Sequence, residues 1–352
     1  ARLGWRVIYV APLQIHERLT RYAGAKSLSL PLQNLTVFSS SIFSGEYRWP
    51  LIFKLNKLLI RMELRRLLGS GNAVQLFANT PLAEFLLDAI PRTRLVYDVM
   101  DDFSAFDWAP ADAAKMEERM LREADVVFTG TYTLLEKVRQ KRGLQASSLH
   151  HNFLQQNQAE FVPCGVEFGF FHGQRETEPP VELRNLPRPI IGYVGTLSER
   201  VDREILAQLA EAFQEGSLVL IGPVYRTLGE PPHRANIHYL GLKPHQALGA
   251  YMRQFDIGLL PFRLTPAALA INPVKMLEYL AAGVVVVSTA IPDVMRFYSD
   301  IAYIADSPAD FVEKTREALR VDNSERIAKG IERARNCSWQ AMVETMARAF
   351  ER

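Results

Sequence analysis

Short apolar runs rich in β-branched residues alternate with helical stretches along most of the 352-residue chain. Strands buried on both faces have this composition, and strands separated by helices form parallel sheets. The pattern therefore predicts an α/β fold. Strands are expected at residues 5–10, 35–39, 73–78, 94–99, 125–129, 190–194, 217–221, 237–240, 256–260, 284–288 and 301–305.

Helical patterns fill the intervals, and several of them begin with proline, which suits a first helical position. They lie at residues 51–68, 81–89, 110–123, 131–142, 202–214, 244–254, 273–282 and 308–319. A stretch rich in glycine, proline and acidic residues separates the two halves. We predict a domain at 1–165, a linker at 166–189 and a domain at 190–335. A C-terminal helix at 336–352, capped by Ser338, is expected to pack back on the first domain.

The length suits two domains of about 150 to 200 residues each. A net charge of +2 argues against nucleic-acid binding through a strongly basic face. Cys164 and Cys337 have no metal-ligand spacing, which predicts a reducing compartment. The sequence has no apolar run of about 20 residues, and residues 1–10 lack the basic start and the cleavage site that a signal peptide has. We therefore expect a cytoplasmic protein whose membrane contact, if any, is made at the surface.

The stretch NPVKMLEYLAAG at residues 272–283 has the features of an anion site. Pro273 begins a helix, whose first turn offers free backbone N–H groups and a positive dipole end. Lys275 adds a full charge to a bound phosphate. Glu278 lies on nearly the same face and can accept hydrogen bonds from sugar hydroxyls. The alternative is an ordinary surface Lys–Glu pair, which is common at this spacing.

Two further loops follow predicted strands at the same sheet edge. In IIGYVGTLSERVD at residues 190–202, Gly195 allows close approach of a ligand to the backbone. Arg200 in the same loop can hold two phosphate oxygens at once. The phrase LIGP at residues 220–223 ends the next strand. Each loop alone is weak evidence, because strand-to-helix turns generally favour glycine and polar residues.

Six phrases occur in order between residues 189 and 319: GYVGT, LIGP, HYLG, DIGLLPF, PVKMLEYLAAG and VVST. Together they resemble the GT-B glycosyltransferases, and in particular the family 4-like group that builds bacterial polysaccharides and glycolipids. The resemblance implies two Rossmann-like, doubly wound parallel-sheet domains facing a cleft. It also implies hexosyl transfer from a nucleotide-diphosphate sugar to a saccharide or lipid-linked acceptor.

The resemblance assigns residues to the donor. Glu278 corresponds to the family glutamate that contacts the ribose, and Leu242 lies where backbone groups hold the base. The full predicted donor set is Gly195, Thr196, Arg200, Gly222, Leu242, Asn272, Pro273, Val274, Lys275 and Glu278. Such enzymes generally hold the diphosphate with helix ends and cations, so we expect no metal and no cofactor. The scattered histidines His16, His150, His151 and His172 have no metal-ligand spacing.

Two departures limit what the resemblance carries over. Many retaining members have a second glutamate eight residues before the first, where this chain has Ala270. The stereochemical outcome is therefore not inferred. In the family a first strand and an acceptor loop precede this part of the fold; the sequence does not include them, by truncation or by omission, which weakens inference about the acceptor site.

The first half contributes LVYDVMDDFSAF at residues 95–106, an aspartate-rich turn like that of related polysaccharide transferases. We predict Asp101 as the carboxylate nearest the chemistry, supported by Asp98 and Asp102. These residues would orient an acceptor hydroxyl or take its proton. The alternative is capping of the following loop and helix. Other family members place a histidine near the position of Met100.

Residues 51–68 combine five cations with a single acid, Glu63. The apolar stripe predicted on this helix is Ile52, Leu55, Leu59 and Met62, with Leu51 and Leu58 beside it. Cations beside an apolar face are typical of interfacial helices and predict peripheral contact with the inner membrane face. The alternative is that the stripe packs on the sheet. The cations are Lys54, Lys57, Arg61, Arg65 and Arg66.

Two other functions remain open from the sequence. A nucleotide-sugar epimerase can share the two-domain architecture, and a non-catalytic scaffold could bind nucleotide or lipid-linked sugar without turnover. Ala270 and Met100 favour the scaffold to some degree. The sequence leaves undetermined the donor sugar and base, the acceptor, the stereochemistry and the oligomeric state.

Overall fold

The structure is a computed structural model that describes residues 7–10, 26–29, 35–39, 50–69, 73–106, 109–143, 159–173, 178–266, 268–271 and 273–351. The chain divides into two compact units. The first comprises Ala1–Leu95 and Pro110–Glu123, and the second comprises Val96–Ala109 and Ala124–Arg352. The domain limits expected from the sequence remain a prediction.

The first unit contains a three-stranded sheet of β1 (Val7–Val10), β2 (Lys26–Ser29) and β3 (Leu35–Ser39), in the order β1-β3-β2. β1 and β3 are parallel, whereas β2 runs antiparallel to β3. Sequence analysis missed β2 because its residues, KSLS, lack the apolar β-branched run of a buried strand.

The first unit continues with α1 (Pro50–Leu68), β4 (Val74–Ala78), a 3-10 helix (Pro81–Leu87) and α2 (Ala113–Glu123). Ile60 and Leu64 of α1 pack with Leu86 and Ile90 in the core of this unit. Thr80 caps the 3-10 helix by accepting a hydrogen bond from the Leu82 amide at 3.3 Å. An ordinary helix was expected at residues 81–89.

β5 (Arg92–Val99) carries the chain from the first unit into the second. It belongs to a four-stranded sheet of order β4-β5-β6-β7, with β6 (Val126–Thr129) and β7 (Ala159–Phe161). α3 (Tyr132–Lys141) follows β6. The C-terminal helix α11 (Trp339–Glu351) packs its Met342 and Met346 against Val96, Phe128 and Val162.

A six-stranded sheet dominates the second unit, and its strand order is β10-β9-β8-β11-β12-β13. Every pairing resolved in this sheet is parallel. The order reverses between β8 and β11, as in doubly wound folds. The strands are β8 (Ile190–Val194), β9 (Ser217–Ile221), β10 (Ile237–Gly241), β11 (Ile257–Leu260), β12 (Val285–Thr289) and β13 (Tyr303–Ala305).

Helices cover both faces of this sheet, so its central strands are fully buried. One core lies on the side of α7, and the other on the side of α5 and α9. The helices are α4 (Phe168–Phe171), α5 (Arg203–Ala212), α6 (Leu248–Met252), α7 (Val274–Ala281), α8 (Pro292–Tyr298), α9 (Pro308–Arg320) and α10 (Ser324–Asn336). The predicted α/β class with parallel sheets is confirmed.

Part of the predicted linker is ordered structure. α4 buries Phe171, and a 3-10 turn (Val181–Leu183) buries Leu183, both in the core that also contains Tyr251. Among the helices of the described residues, none has the length and apolar character needed to cross a membrane.

Candidate active site

The predicted donor residues gather at one edge of the six-stranded sheet. Gly195 and Thr196 follow β8, Gly222 follows β9, Leu242 follows β10, and Pro273 precedes α7 after β11. The carboxyl ends of parallel strands share an edge, and ligands bind doubly wound sheets where the strand order reverses. That reversal lies between β8 and β11.

The loop after β8 is fastened to both neighbouring strands through its backbone. The Gly195 amide donates to the Ile221 carbonyl at 2.9 Å, and the Leu197 amide donates to the Pro223 carbonyl at 2.9 Å. On the other side, the Asp202 amide donates to the Pro261 carbonyl at 2.8 Å. These hydrogen bonds restrain the backbone of this loop.

Position 222 needs a glycine because the loops after β8 and β9 approach each other closely there. Its φ of +143° lies in a region that side chains rarely adopt, and a Cβ there would lie 2.0 Å from the Gly195 carbonyl oxygen. The Gly222 amide donates to the Gly241 carbonyl at 2.9 Å, which links the ends of β9 and β10. Leu242, the next residue, is 79% exposed at this edge.

Two tyrosines support the donor loop from below, and sequence analysis missed both. Tyr279 of α7 accepts a hydrogen bond from the Val194 amide at 2.8 Å and is fully buried. The Tyr193 hydroxyl donates to the Thr196 carbonyl at 3.0 Å. For Tyr193, the signal that could have identified this role is a tyrosine in an otherwise apolar buried strand, because a buried hydroxyl needs a hydrogen-bond partner.

α7 presents a charged pair in its first turns. Lys275 Nζ donates to Glu278 Oε2 at 2.5 Å, and the Glu278 side chain is only 6% exposed. The sequence analysis gave an ordinary surface Lys–Glu pair as the alternative to an anion site. The pair is present, but its carboxylate is buried and so it is not a surface pair. Pro273 and Val274 lie at the start of this helix, whereas Asn272 is outside the described residues.

Arg200 faces the aspartate-rich turn. Its guanidinium carbon lies 5.1 Å from the centre of the Phe106 ring, within the range of a cation–π contact. Desolvation raises the pKa of Asp101, and the nearby Arg200 charge lowers it by a smaller amount, so the net shift is upward. The predicted grip of Arg200 on phosphate remains a prediction.

Asp98 is a buried carboxyl at the end of β5. It is 5% exposed, and its Oδ1 has no hydrogen-bond partner among the described residues. Burial raises the pKa of Asp98 to about 7. Buried charge without compensation is costly, so the neutral form is favoured. Asp98 can therefore hold a proton near neutral pH.

Asp101 and Asp102 differ sharply in their surroundings. Asp101 is an exposed residue, while Asp102 forms an ion pair with Lys137 of α3 and accepts from the Ser104 hydroxyl at 3.0 Å. Asp102 thus serves the shape of the turn, which continues as a 3-10 helix at Phe103–Ala105. Asp101 is therefore the more exposed carboxylate of the two, and its catalytic role remains a prediction.

Two other expectations concern reactive and metal-binding groups. Burial, with smaller contributions from Asp98 and Asp101, raises the pKa of the Cys164 thiol to about 12, so this thiol is protonated at neutral pH. Among the residues that the structure describes, no His, Cys, Asp and Glu side chains cluster as metal ligands. His16, His150 and His151 fall outside these residues, and His172 contacts the Ala281 carbonyl at 3.2 Å. The absence of a metal and a cofactor stays a prediction.

Comparison with known proteins supports the fold. Residues 199–348 match the family model described as glycosyl transferase-like. The chain is 23% identical over 236 residues to TuaH of Bacillus subtilis strain 168, a glycosyltransferase assigned to teichuronic acid biosynthesis. That match covers 64% of this chain and 56% of TuaH, so the chain spans little more than half the length of this relative.

Solved structures resemble nearly the whole chain. Sucrose-phosphate synthase from Thermosynechococcus elongatus superposes with a TM-score of 0.71 at 15% identity, covering 99% of this chain and 89% of that one. The E. coli trehalose-6-phosphate structure bound with UDP-2-fluoro glucose gives 0.70 at 15% identity, with coverages of 97% and 91%. The predicted GT-B fold and the resemblance to GT-B glycosyltransferases are confirmed. The narrower family 4-like assignment stays a prediction.

Proposed function

We propose that this protein transfers a hexose from a nucleotide-diphosphate sugar to a saccharide or lipid-linked acceptor in polysaccharide or glycolipid synthesis. The observation that carries the proposal is the edge of the six-stranded sheet at the β8–β11 reversal. There a rigid glycine loop and the Lys275–Glu278 pair at the start of α7 lie on neighbouring segments. The relatives named above support the same activity.

In this proposal the sheet edge binds the donor and stabilises its leaving group. The acceptor hydroxyl attacks the anomeric carbon while the bond to the diphosphate breaks, and negative charge develops on the diphosphate. The first amides of α7 and Lys275 offset that charge. Glu278 accepts from the ribose hydroxyls once Lys275 turns toward phosphate. Leu242 lies beside the base.

The aspartate-rich turn supplies the acceptor side of the reaction. Asp101 takes the proton of the attacking hydroxyl, since desolvation raises its pKa and so strengthens it as a base, and the nearby Arg200 charge offsets only part of that rise. Asp98 stays protonated over most of the acid range because its environment is apolar. Asp102 keeps the turn in place through Lys137.

We also infer that α1 contacts an anionic membrane, where a lipid-linked acceptor would be found. Among the α1 side chains that the structure describes, the exposed apolar ones are Leu51, Leu55, Leu58 and Met62, spaced by four, three and four residues. That spacing places them on a single stripe. Ile52 and Leu59, expected on this stripe, are half-buried instead, because the opposite side of α1 packs into the core through Ile60 and Leu64.

Cations flank this outward stripe. Lys54, Arg65 and Arg66 are exposed, while Arg61 and Arg65 donate to the carbonyls of Asp88 and Ala89. The only acid of α1, Glu63, is half-buried. An outward apolar stripe beside cations fits an interfacial helix, with each near-surface cation contributing about 1 kcal/mol on anionic lipid. Peripheral location at the inner membrane face is part of this proposal.

A nucleotide-sugar screen tests the proposed activity. UDP-, GDP-, dTDP- and ADP-linked sugars are added to the purified protein, and both binding and release of free nucleoside diphosphate are measured. A transferase binds one donor class and releases the diphosphate faster when an acceptor is present. Epimerised free donor without any acceptor would indicate an epimerase, and binding without turnover would indicate a scaffold.

A further inference from the structure

The aspartate-rich turn and the donor edge belong to different sheets of the second unit. Asp98 ends a strand of the four-stranded sheet, whereas the donor residues follow β8 to β11 of the six-stranded sheet. Sugar transfer requires the acceptor-side carboxylate to be held within a fraction of an ångström of its working position. The structure must therefore contain contacts that hold this turn against the donor edge.

One such contact is made by Asp293, which follows β12 at the donor edge. Its carboxylate accepts from the Tyr132 amide at 2.8 Å, the Thr133 amide at 3.3 Å and the Thr133 hydroxyl at 3.1 Å. Tyr132 and Thr133 form the first turn of α3, about 160 residues earlier in the chain. Asp293 is 5% exposed and the three hydrogen bonds are partly buried, and hydrogen bonds to a carboxylate are among the stronger ones.

Packing around Asp293 reinforces the same contact. The rings of Phe161 and Phe297 stack with centroids 5.3 Å apart and planes inclined by 8°. The Arg296 guanidinium lies 3.7 Å from the centre of the Tyr132 ring. α8, which bears Asp293, Arg296 and Phe297, thus meets the start of α3 through charge and aromatic contacts together.

α3 connects the Asp293 contact at its first turn with the aspartate-rich turn. Lys137, near the other end of α3, pairs with Asp102 in that turn. Just before α3, the Gly130 amide donates to the Val99 carbonyl at 3.0 Å, one residue after Asp98. α3 is therefore fixed to the donor edge at its start and pairs with the turn through Lys137, while the segment just before α3 is bonded to the end of β5.

We propose that Asp293 is a positioning residue: by fixing the first turn of α3 to the donor edge, it sets where Asp101 lies relative to the donor. Asp293 acts through α3, Gly130 and Lys137. Its hydrogen bonds to described residues go to Tyr132 and Thr133, neither of which is a predicted donor residue. The catalytic consequence rests on the proposed function, whereas the positioning itself is a property of the fold.

The test compares Asp293→Asn with Ser307→Ala, a control that removes the N-cap of α9, where Ser307 accepts from the Asp310 amide at 3.1 Å. Both variants lose a helix cap, but only the first loses the contact with α3. We measure UDP affinity, donor turnover and the distance between spin labels at Gln140 of α3 and Gln214 after α5, both exposed. The half-buried Cys337 is replaced by serine so that it takes no label.

For Asp293→Asn we expect turnover to fall about tenfold or more, with UDP affinity within about twofold of wild type. The distance distribution should become broader or displaced, while Ser307→Ala changes neither turnover nor distance. An unchanged distribution in Asp293→Asn overturns the inference, as does an equal loss of turnover in both variants. Failure of the wild-type protein to bind or consume any nucleotide sugar counts against the proposed function alone, because the distance measurement still decides the inference.

Discussion

Lys275 and Glu278 form a 2.5 Å hydrogen-bonded ion pair across one turn of α7, and the carboxylate of that pair is buried. A surface pair at this spacing contributes little, because solvent screens both charges. Here the lysine offsets the cost of a buried carboxylate, and it lies at a helix start where an anion is favoured. A bound nucleoside diphosphate would place its phosphates beside Lys275 and its ribose hydroxyls beside Glu278. These contacts would replace the hydrogen bond between the two side chains.

Gly222→Ala tests the close approach of the loops after β8 and β9. The new Cβ would meet the Gly195 carbonyl oxygen at 2.0 Å, and the φ of +143° strains any side chain. We expect nucleotide affinity to fall about tenfold or more and the melting temperature to drop by several degrees. Isothermal titration and thermal unfolding measure the two effects.

Gly169→Ala is the control for this change, because a Cβ there has open space and no positive φ. It should leave nucleotide affinity as in wild type. Normal affinity in Gly222→Ala would show that the donor does not depend on this loop.

The raised pKa of Asp98 makes the free energy of unfolding depend on pH. Its pKa is raised to about 7 by burial, from an ordinary value of about 3.9, so the folded protein keeps a proton that the unfolded chain releases. Stability therefore falls as pH rises from about 4 to 7, with a cost from this group of up to about 4 kcal/mol above that window. Asp98→Asn removes the titration.

Urea unfolding between pH 4 and 8 measures this contribution. Asp98→Asn should be more stable than wild type at pH 8, and the difference should shrink as the pH approaches 4. Asp102→Asn, which loses the pair with Lys137, should show no such gain at pH 8. A pH-independent difference between Asp98→Asn and wild type would contradict the assigned environment.

Asp101→Asn keeps the shape of the side chain and removes its charge. If Asp101 takes the acceptor proton, turnover should fall by about a hundredfold or more while donor affinity is preserved. Steady-state turnover and UDP binding separate the two quantities. Full turnover in this variant would move the proton acceptor to another residue.

Much of this site could be predicted from the sequence, because parallel strands end at a common edge. Once β8 to β11 were identified by their apolar runs, Gly195, Gly222 and Lys275 had to lie near one another. Local signals were sufficient here because Gly195 and Gly222 directly follow strands and Lys275 lies in the first turn of a helix that begins after a proline.

Other features could not be predicted, since they depend on contacts distant in sequence. Asp293 meets Tyr132 and Thr133 across about 160 residues, and nothing in either segment indicates the other. The buried side of α1 could not be predicted because both of its sides carry apolar residues, and only the packing of Ile60 and Leu64 decides which side is buried. Burial also determines the raised pKa of Asp98, which the turn sequence does not disclose.

The outward stripe of α1 predicts binding to anionic vesicles. Replacement of Leu55, Leu58 and Met62 with serine should abolish co-sedimentation, because these exposed side chains supply the apolar contact. Replacement of Val181, Val321 and Val343, which are exposed elsewhere, is the matched control and should have no effect. Wild-type binding should weaken at high salt, since added ions screen charge beyond about 10 Å at 0.1 M. Equal sedimentation of all three proteins would exclude α1 as the membrane contact.

Calorimetric titration of nucleoside diphosphates tests the central claim most directly, comparing wild type with Lys275→Gln and Glu278→Gln. Each variant loses a charged hydrogen bond to the ligand, worth about 1.5 to 3 kcal/mol, so affinity should fall roughly ten- to a hundredfold. Lys314→Gln and Glu317→Gln disrupt a pair of the same spacing in α9, 3.1 Å apart, and should bind as wild type does. Wild-type protein that binds none of UDP, GDP, dTDP and ADP, or α7 variants that bind as tightly as the α9 controls, would contradict a donor site at this sheet edge.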